Sequence, residues 1–525
     1  MSGVRRACAV VCLYGALALL MVPVFPHFQS PNELTRWATA AALVEHGTFE
    51  VSSVLPLLAP GFEDLAVKDG RTFSNKAPGG ALVALPGYLA ARLFSPAETP
   101  ASMRPQVNAM RLVASTLPAL ALALLVVASA ERFGRGARAP FLVLVLLFGT
   151  PLFAYGLLLF SHALVACCLF GAWAALFLPG GGRSAAARDL AAGALVGLAT
   201  FSEYAAAVPG LVLLVCAAPR LRLAGVLRVA LGGLPFAVAL GLYDLACFGN
   251  AFRPSYRFEK LAEYRAVAGA GFFGIHFPSL DVLARLLADP SKGLLVFSPV
   301  LLLWGKGFVA ARRTLSVGSL CALALVPASI LLLYAGYPNW HGGWTVGPRY
   351  VLPAVPFLVL PLAFLEGGFL EAVLTGASVL AVAMTSLVFP FVPGDFPLPW
   401  GTFAWPLLRH GSIAPDLLHL VAPALAIAVP WLLVAAALAA GLAARRLAGA
   451  ALGAALCLAV GSIPRDILSR RVERAYVEEV YFEREGALGR VFGPVPLPPS
   501  LVARRERELR LGPTRWPIDA RRPPL

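Results

Sequence analysis

Apolar stretches about as long as a bilayer is thick follow one another along nearly the whole chain, and polar residues fall into the gaps between them. A bilayer core takes about 20 apolar residues per helix. On that measure spans are expected near 7–25, 106–130, 139–159, 162–178, 189–202, 204–218 and 224–247. More are expected near 293–310, 315–336, 350–366, 368–391, 417–443 and 447–463. That is an all-α polytopic membrane protein with about 13 transmembrane helices. The two short segments around Glu203 read as a tight hairpin.

One segment decides the topology. Residues 77–94, "APGGALVALPGYLAARLF", are long enough to cross, yet carry Gly79, Gly80, Pro86 and Gly87. If they lie along the outer interface, the short-loop clusters at Arg5 and Arg6, Arg132 to Arg138, Arg183 and Arg188, Arg220 to Arg228, Lys306 to Arg313, and Arg445 and Arg446 share one side. Short-loop Lys/Arg marks the cytoplasm, so this arrangement is expected, with the N-terminus inside. The long loops 26–105, 248–292, 337–349 and 392–416 then face out. Residues 1–463 form the membrane domain. The tail 464–525 is expected to be periplasmic and partly helical, although its excess of arginine suits the cytoplasm better.

Composition agrees: 59% of residues are hydrophobic and 14% charged, against roughly half and a quarter in soluble domains. The net charge of +15 is dispersed through short loops rather than gathered into a patch, which argues against a nucleic-acid partner. The eight cysteines all fall in apolar segments without a C-x-x-C spacing, and read as small core residues. The N-terminal stretch lacks a clear small-residue cleavage site and reads as an uncleaved signal-anchor.

Candidate chemistry gathers in the expected outer loops. "SPNELTRWATAAALVEHG", residues 30–47, sets Ser30, Pro31 and Glu33 in the spacing of a capping box. Leu34, Trp37, Ala38, Ala41 and Val44 form an apolar stripe, so a helix lying on the interface is expected, with Gly47 ending it. Glu33 is then either a cap or a general base, and Arg36 stands one turn on. "EDLAVKDGRTFSNKAPGG", 63–80, brings Asp64, Asp69 and Lys76 together. Lys76 stands just ahead of a helix start, where a cation and free N–H groups can hold phosphate; a lysine snorkelling to headgroups is the bland reading.

"DPSKGLLVFSP", 289–299, places Lys292 at the mouth of a span. "YPNWHGGWTVGPRY", 337–350, sets Trp340, His341, Trp344, Arg349 and Tyr350 among three glycines. These are either membrane-belt aromatics or a ligand site in which Arg349 forks onto phosphate. Glu203 and His162 are ionisable groups within apolar runs, and such groups are functional candidates by default. No zinc-protease, nucleophile-elbow, P-loop or dinucleotide motif occurs.

The order of "SPNELTRW", "GRTFSNKAPG", "FSHAL", "FSEY", "DPSKGLLVFSP" and "WHGGW…GPRY" resembles the GT-C membrane glycosyltransferases over about residues 1–460. Within them it is most similar to the bacterial family-39-like proteins, kin to protein O-mannosyltransferases and the lipid A aminoarabinose transferase. The resemblance implies a GT-C-like bundle with a helical first periplasmic loop in a bacterial inner membrane. It also implies transfer of a sugar from a polyprenyl-phosphate donor to a glycan, lipid or protein acceptor on the outer face. Glu33 would be the catalytic carboxylate, with Asp64, Asp69 and Glu203 as secondary acids. Lys76, Arg349, Lys292 and Arg36 would hold the donor phosphate, and Trp340, His341, Trp344, Tyr350 and His162 would line the site. Where such families carry an acidic pair, this chain has Asn32-Glu33, which leaves the need for a divalent cation open. The alternatives are a transporter or flippase of lipid-linked glycans and a non-catalytic GT-C scaffold. A transporter would want charges near the bilayer midplane and related halves, which the sequence does not show.

Overall fold

The structure is a computed structural model. It describes residues 3–482 except 22, 24, 26–29, 59–61, 97–102, 180–183, 395 and 464–467. The expected tail beyond 482 therefore lies outside the described residues, as does Arg183.

Helices dominate. Among the described residues seven are long and apolar enough to cross a membrane: Gly3–Leu20, Met103–Arg132, Leu223–Phe248, Val317–Ala335, Phe369–Val388, Pro423–Gly441 and Ala444–Gly461. Shorter apolar helices accompany them at Gly136–Phe148, His162–Phe177, Tyr204–Arg220, Pro299–Ala311 and Arg349–Phe364. The chain is a multi-pass membrane protein, and its elements follow the apolar segments of the sequence. Three expected spans are broken rather than straight. The segment at 139–159 stops being helical at Phe148, where Gly149, Thr150 and Pro151 follow. The one at 350–366 alternates between 3-10 and α turns, with Pro353, Pro356 and Pro361 each lacking an amide donor. The one at 293–310 breaks at Ser298-Pro299.

Small residues set the tightest crossings, as they do between helices in lipid. A Cβ on Gly193 would fall 1.9 Å from the Val229 carbonyl, which locks helix Ala185–Ser202 against Leu223–Phe248. Gly453 plays the same part against Val373, where the distance would be 1.8 Å.

The basic loops meet at one end. Arg6 donates to the Ala440 and Leu442 carbonyls (2.9 and 2.5 Å), and Arg138 and Arg446 share Glu371 (2.5 and 3.4 Å). Arg135 lies over Phe364 and Arg132 donates to the Pro179 carbonyl (2.8 Å).

At the opposite end sits the region between α1 (Gly3–Leu20) and the 30-residue helix α4 (Met103–Arg132). It holds α2 (Pro31–His46), an antiparallel hairpin of β1 (Leu65–Lys68) and β2 (Arg71–Ser74), and α3 (Gly79–Arg92). Gly47 ends α2 in the left-handed conformation, as its sequence expects. The 14 residues of α3 span about 21 Å, shorter than a ~30 Å hydrocarbon core. It runs beside α2: Gly80 packs near Arg36, and Arg92 pairs with Glu45. α2 departs from the expected surface helix with one apolar stripe, because every residue from Asn32 to Ala42 is buried. Within the tail, helix Leu468–Tyr481 docks here too, with Tyr481 stacked on Phe389 and edge-on to Trp344.

Candidate functional site

Six segments converge at the α2 end, and each delivers one or two ionisable side chains. Arg36 comes from α2 and is 2% exposed. Its NH1 donates to the Asn32 carbonyl (2.6 Å) and also meets the Asn32 side-chain oxygen. Its Nε and NH2 donate to Ser161 Oγ (3.2 and 3.0 Å), and NH2 pairs with Glu203 Oε1 at 3.1 Å. Ser161 and His162 reach this point because the helix ending at Phe148 is followed by only a short helical turn at Leu152–Tyr155 before the next long helix starts at His162. Glu203 is available because Ala185–Ser202 ends there in extended backbone.

The hairpin positions the next group. After β2, Ser74 Oγ accepts from Thr35 Oγ1 (2.9 Å) and from the Lys76 amide (3.1 Å), which ties the loop to α2. Lys76 Nζ lies 3.3 Å from Asp64 Oδ2. Asn75 Nδ2 points between two carboxylates, donating to Asp64 Oδ1 (3.4 Å) and to both oxygens of Glu259 (3.2 and 3.0 Å). Glu259 arrives from the stretch after Leu223–Phe248, which docks onto the hairpin. There Ala66 bridges Glu259, the Lys260 amide donates to the Leu65 carbonyl (2.8 Å), and Ser255 Oγ donates to the Asn75 carbonyl (2.8 Å).

Arg349 completes the set. Its NH2 donates to Tyr350 Oη (2.8 Å), and the guanidinium lies over the Tyr350 and Phe160 rings at 4.7 and 5.5 Å. It runs across Gly342, whose φ of +70° and missing side chain leave room; a Cβ there would sit 2.9 Å from Arg349 Nε. Tyr350 stacks on Tyr334 (4.7 Å) and meets His162 edge-on (5.9 Å).

The charges act on one another. Burial pulls the Asp64 carboxyl upward, but Lys76, Arg349 and the Asn75 amide outweigh it and hold Asp64 below the usual carboxylate range. Glu259 goes the other way: burial pushes it up to about 7, against weaker opposition from Lys76 and Asn75. Burial also lowers Arg36, an effect that Glu203, Tyr256 and Asp64 oppose. Two buried polar atoms here lack a protein partner, Asn75 Oδ1 and Arg349 Nε; Ser202 Oγ, beside Gly79, is a third.

Of the residues singled out in the sequence, Arg36, Asp64, Lys76, His162, Glu203, Arg349 and Tyr350 belong to this cluster. Others take different places. Glu33 makes neither the expected capping box nor an open carboxylate. Its oxygens accept from Arg111 Nε and NH2, both at 2.8 Å, and Oε1 also accepts from the Leu159 amide at 2.7 Å. Asp69 occupies the exposed hairpin turn at φ +50° and pairs with its neighbour Lys68 (2.7 Å). Lys292 is buried, its ammonium spent on the Gly343 and Thr345 carbonyls (3.0 and 2.6 Å), Thr345 Oγ1 (3.2 Å) and the Val392 carbonyl (3.4 Å). Trp344 packs toward Phe389 and the tail helix. His341 is exposed with Nδ1 accepting from the Gly343 amide (3.1 Å), and Trp340 lies edge-on beside it. Glu259 and Arg111 carried no motif. Only the docking of two loops, and the apposition of α4 to α2, brings them in. Among the described residues no group of three His, Cys, Asp or Glu side chains is arranged to hold a metal ion.

No family model matches the chain, and no curated protein matches it. Among solved structures it is similar to ArnT from Cupriavidus metallidurans bound to undecaprenyl phosphate, at 15% identity and TM-score 0.47, covering 92% of this chain and 80% of that one. It is also similar to the archaeal oligosaccharyltransferase AglB from Archaeoglobus fulgidus in complex with an inhibitory peptide and a dolichol-phosphate. That match has 12% identity and TM-score 0.38, and covers 99% of this chain and 61% of that one. A further oligosaccharyltransferase structure from Archaeoglobus fulgidus, tethered to an acceptor peptide, matches at 12% identity and TM-score 0.42, covering 98% and 59%. The chain thus spans about three fifths of the archaeal chains. At these scores the matches describe a likeness in the run of helices and carry nothing about residues or reaction.

Proposed function

We propose that this protein transfers a sugar from a polyprenyl-phosphate donor to a glycan, lipid or protein acceptor at the outer face of a bacterial inner membrane. The observation that carries the reading is the gathering of Arg36, Lys76 and Arg349 with Asp64, Glu203 and Glu259 at one end of an apolar bundle. Arginines Arg6, Arg138 and Arg446 meet at the other end, which by the positive-inside tendency is the cytoplasmic one. The cluster, and the tail helix beside it, then face outward.

The chemistry follows from charge. A sugar on a lipid phosphate has a good leaving group once cations neutralise the departing oxygens. Lys76 and Arg349 supply that stabilisation, with Arg36 behind them, and burial makes it worth more than in water. Arg349, over the Tyr350 ring with Nε unpartnered, can present a fork to phosphate. The acceptor's proton passes to a carboxylate of the cluster. A transporter would place such charges near the midplane, not at one end.

The test is undecaprenyl-phosphate binding together with transfer of label from polyprenyl-phosphate sugars in membranes. Binding and transfer that both weaken in Lys76→Ala and Arg349→Ala support the reading; a wild-type protein that does neither removes it.

A further inference from the structure

Glu259 lies in "SYRFEKLAEYR", a stretch with no motif, yet it is the most completely built-in carboxylate of the cluster. Its backbone is bridged to Ala66, its neighbour Lys260 clamps the Leu65 and Phe62 carbonyls, and its carbonyl accepts from Arg265 (3.4 Å). Asn75 Nδ2 spans both of its oxygens. Asp64 stays ionised, and a carboxylate only accepts hydrogen bonds, so the amide turns its nitrogen to Asp64 and Glu259 and its oxygen away. That oxygen, on a residue 2% exposed, is the buried unpartnered Asn75 Oδ1. Burying an acceptor without a donor is unfavourable. It is accounted for if a bound molecule brings a hydroxyl.

The side chain of Glu259 is met by the neutral Asn75 amide, whereas the other carboxylates each pair with a cation: Asp64 with Lys76, Glu203 through Oε1 with Arg36, and Glu33 with Arg111 and the Leu159 amide. Resting on the functional reading above, we infer that Glu259 is the catalytic base that receives the acceptor's hydroxyl proton, and that Asn75 Oδ1 holds a neighbouring hydroxyl of a sugar-like, polyhydroxylated acceptor. The acceptor oxygen attacks the anomeric carbon, and the bond from that carbon to the phosphate oxygen breaks with its electron pair leaving on the phosphate. The hydroxyl proton moves to Glu259 and afterwards to water. No further reactant is needed. The charged and titratable groups facing Glu259 are Lys76 and Asp64 from the first loop and Tyr337 from the stretch before Arg349. With its carboxyl poised near neutrality, Glu259 can take up and release a proton at working pH, whereas Asp64 stays ionised.

The test compares wild type with Glu259→Gln, which keeps an acceptor oxygen for Asn75. Purified proteins are titrated with undecaprenyl phosphate, and membranes are supplied with labelled polyprenyl-phosphate sugars. Expected is undecaprenyl-phosphate affinity within threefold of wild type and transfer reduced by about 100-fold or more. Asn75→Leu, which removes the hydroxyl acceptor, should raise the KM for a polyol acceptor more than it lowers kcat. If Glu259→Gln accumulates poorly, the wild-type pH profile decides: transfer should rise through about pH 7 as Glu259 ionises. Transfer by Glu259→Gln within threefold of wild type, a flat wild-type profile from pH 6 to 8, or joint loss of phosphate binding in Glu259→Gln each overturns the inference while leaving the broader function standing. A wild-type protein that neither binds the lipid phosphate nor transfers removes both.

Discussion

Glu33 and Arg111 close a forked ion pair between α2 and α4, with both contacts at 2.8 Å and both side chains almost fully buried. Arg111 also holds Asn108 and the Pro23 carbonyl (2.8 and 3.4 Å), and directly after it α4 widens into a π turn at Leu112–Thr116. Pro118 stands two residues past that turn and has no amide to complete regular α bonding. The first-loop acid is therefore spent on joining two helices.

Glu33→Ala should leave a buried, unpaired guanidinium and cost about 3–5 kcal/mol, read as a lower unfolding temperature in detergent. The double variant Glu33→Ala/Arg111→Ala should recover part of that loss. Glu33→Gln should keep transfer per folded molecule near wild type. Full loss of transfer with unchanged stability would instead return Glu33 to catalysis.

Lys292 makes a second separable case. Its ammonium binds oxygens that fix the loop leading to Arg349, so Lys292→Met should lower stability by about 1–3 kcal/mol. Undecaprenyl-phosphate affinity of the folded fraction should change only a few-fold. A large, selective affinity loss would place Lys292 on the phosphate after all.

Topology can be read by labelling. In a cysteine-free background, Arg71→Cys and Pro96→Cys flank α3 at exposed positions and should react with an impermeant reagent from the same side, while Arg135→Cys reacts from the other. Opposite reactivity of positions 71 and 96 would make α3 a crossing helix.

Periodicity and length carried most of the fold, because a lipid-facing helix must be apolar for about 20 residues. They missed the breaks at Gly149 to Pro151 and at Ser298-Pro299, where prolines interrupt apolar runs without changing hydropathy. The cluster was half legible. Arg36, Lys76 and Arg349 stand beside turn and cap residues that mark their loops. Glu33 misled because an acid at the third helical position looks the same whether it caps, catalyses or pairs with a helix 78 residues away. Glu259 could not be found from sequence, since its place depends on one loop pairing with another's hairpin.

The phosphate-binding role of the cluster is sensitive to the shape of the cation as well as its charge. Arg349→Lys keeps the charge but loses the fork and the guanidinium's contact with Tyr350, and should weaken undecaprenyl-phosphate binding about tenfold or more. Equal affinity in the two proteins would take Arg349 out of the donor site.

Whether this cluster moves a sugar off a lipid phosphate is read from label transfer in membranes. Membranes containing the wild-type protein and its acceptors are given labelled polyprenyl-phosphate sugars, beside membranes carrying Lys76→Ala or Arg349→Ala at equal protein level. The account predicts label in a glycoconjugate and a matching release of polyprenyl phosphate with wild type, with both reduced by about 100-fold in each variant. Transfer that persists undiminished in Lys76→Ala and Arg349→Ala, or no transfer and no lipid-phosphate binding by the wild-type protein, would contradict it.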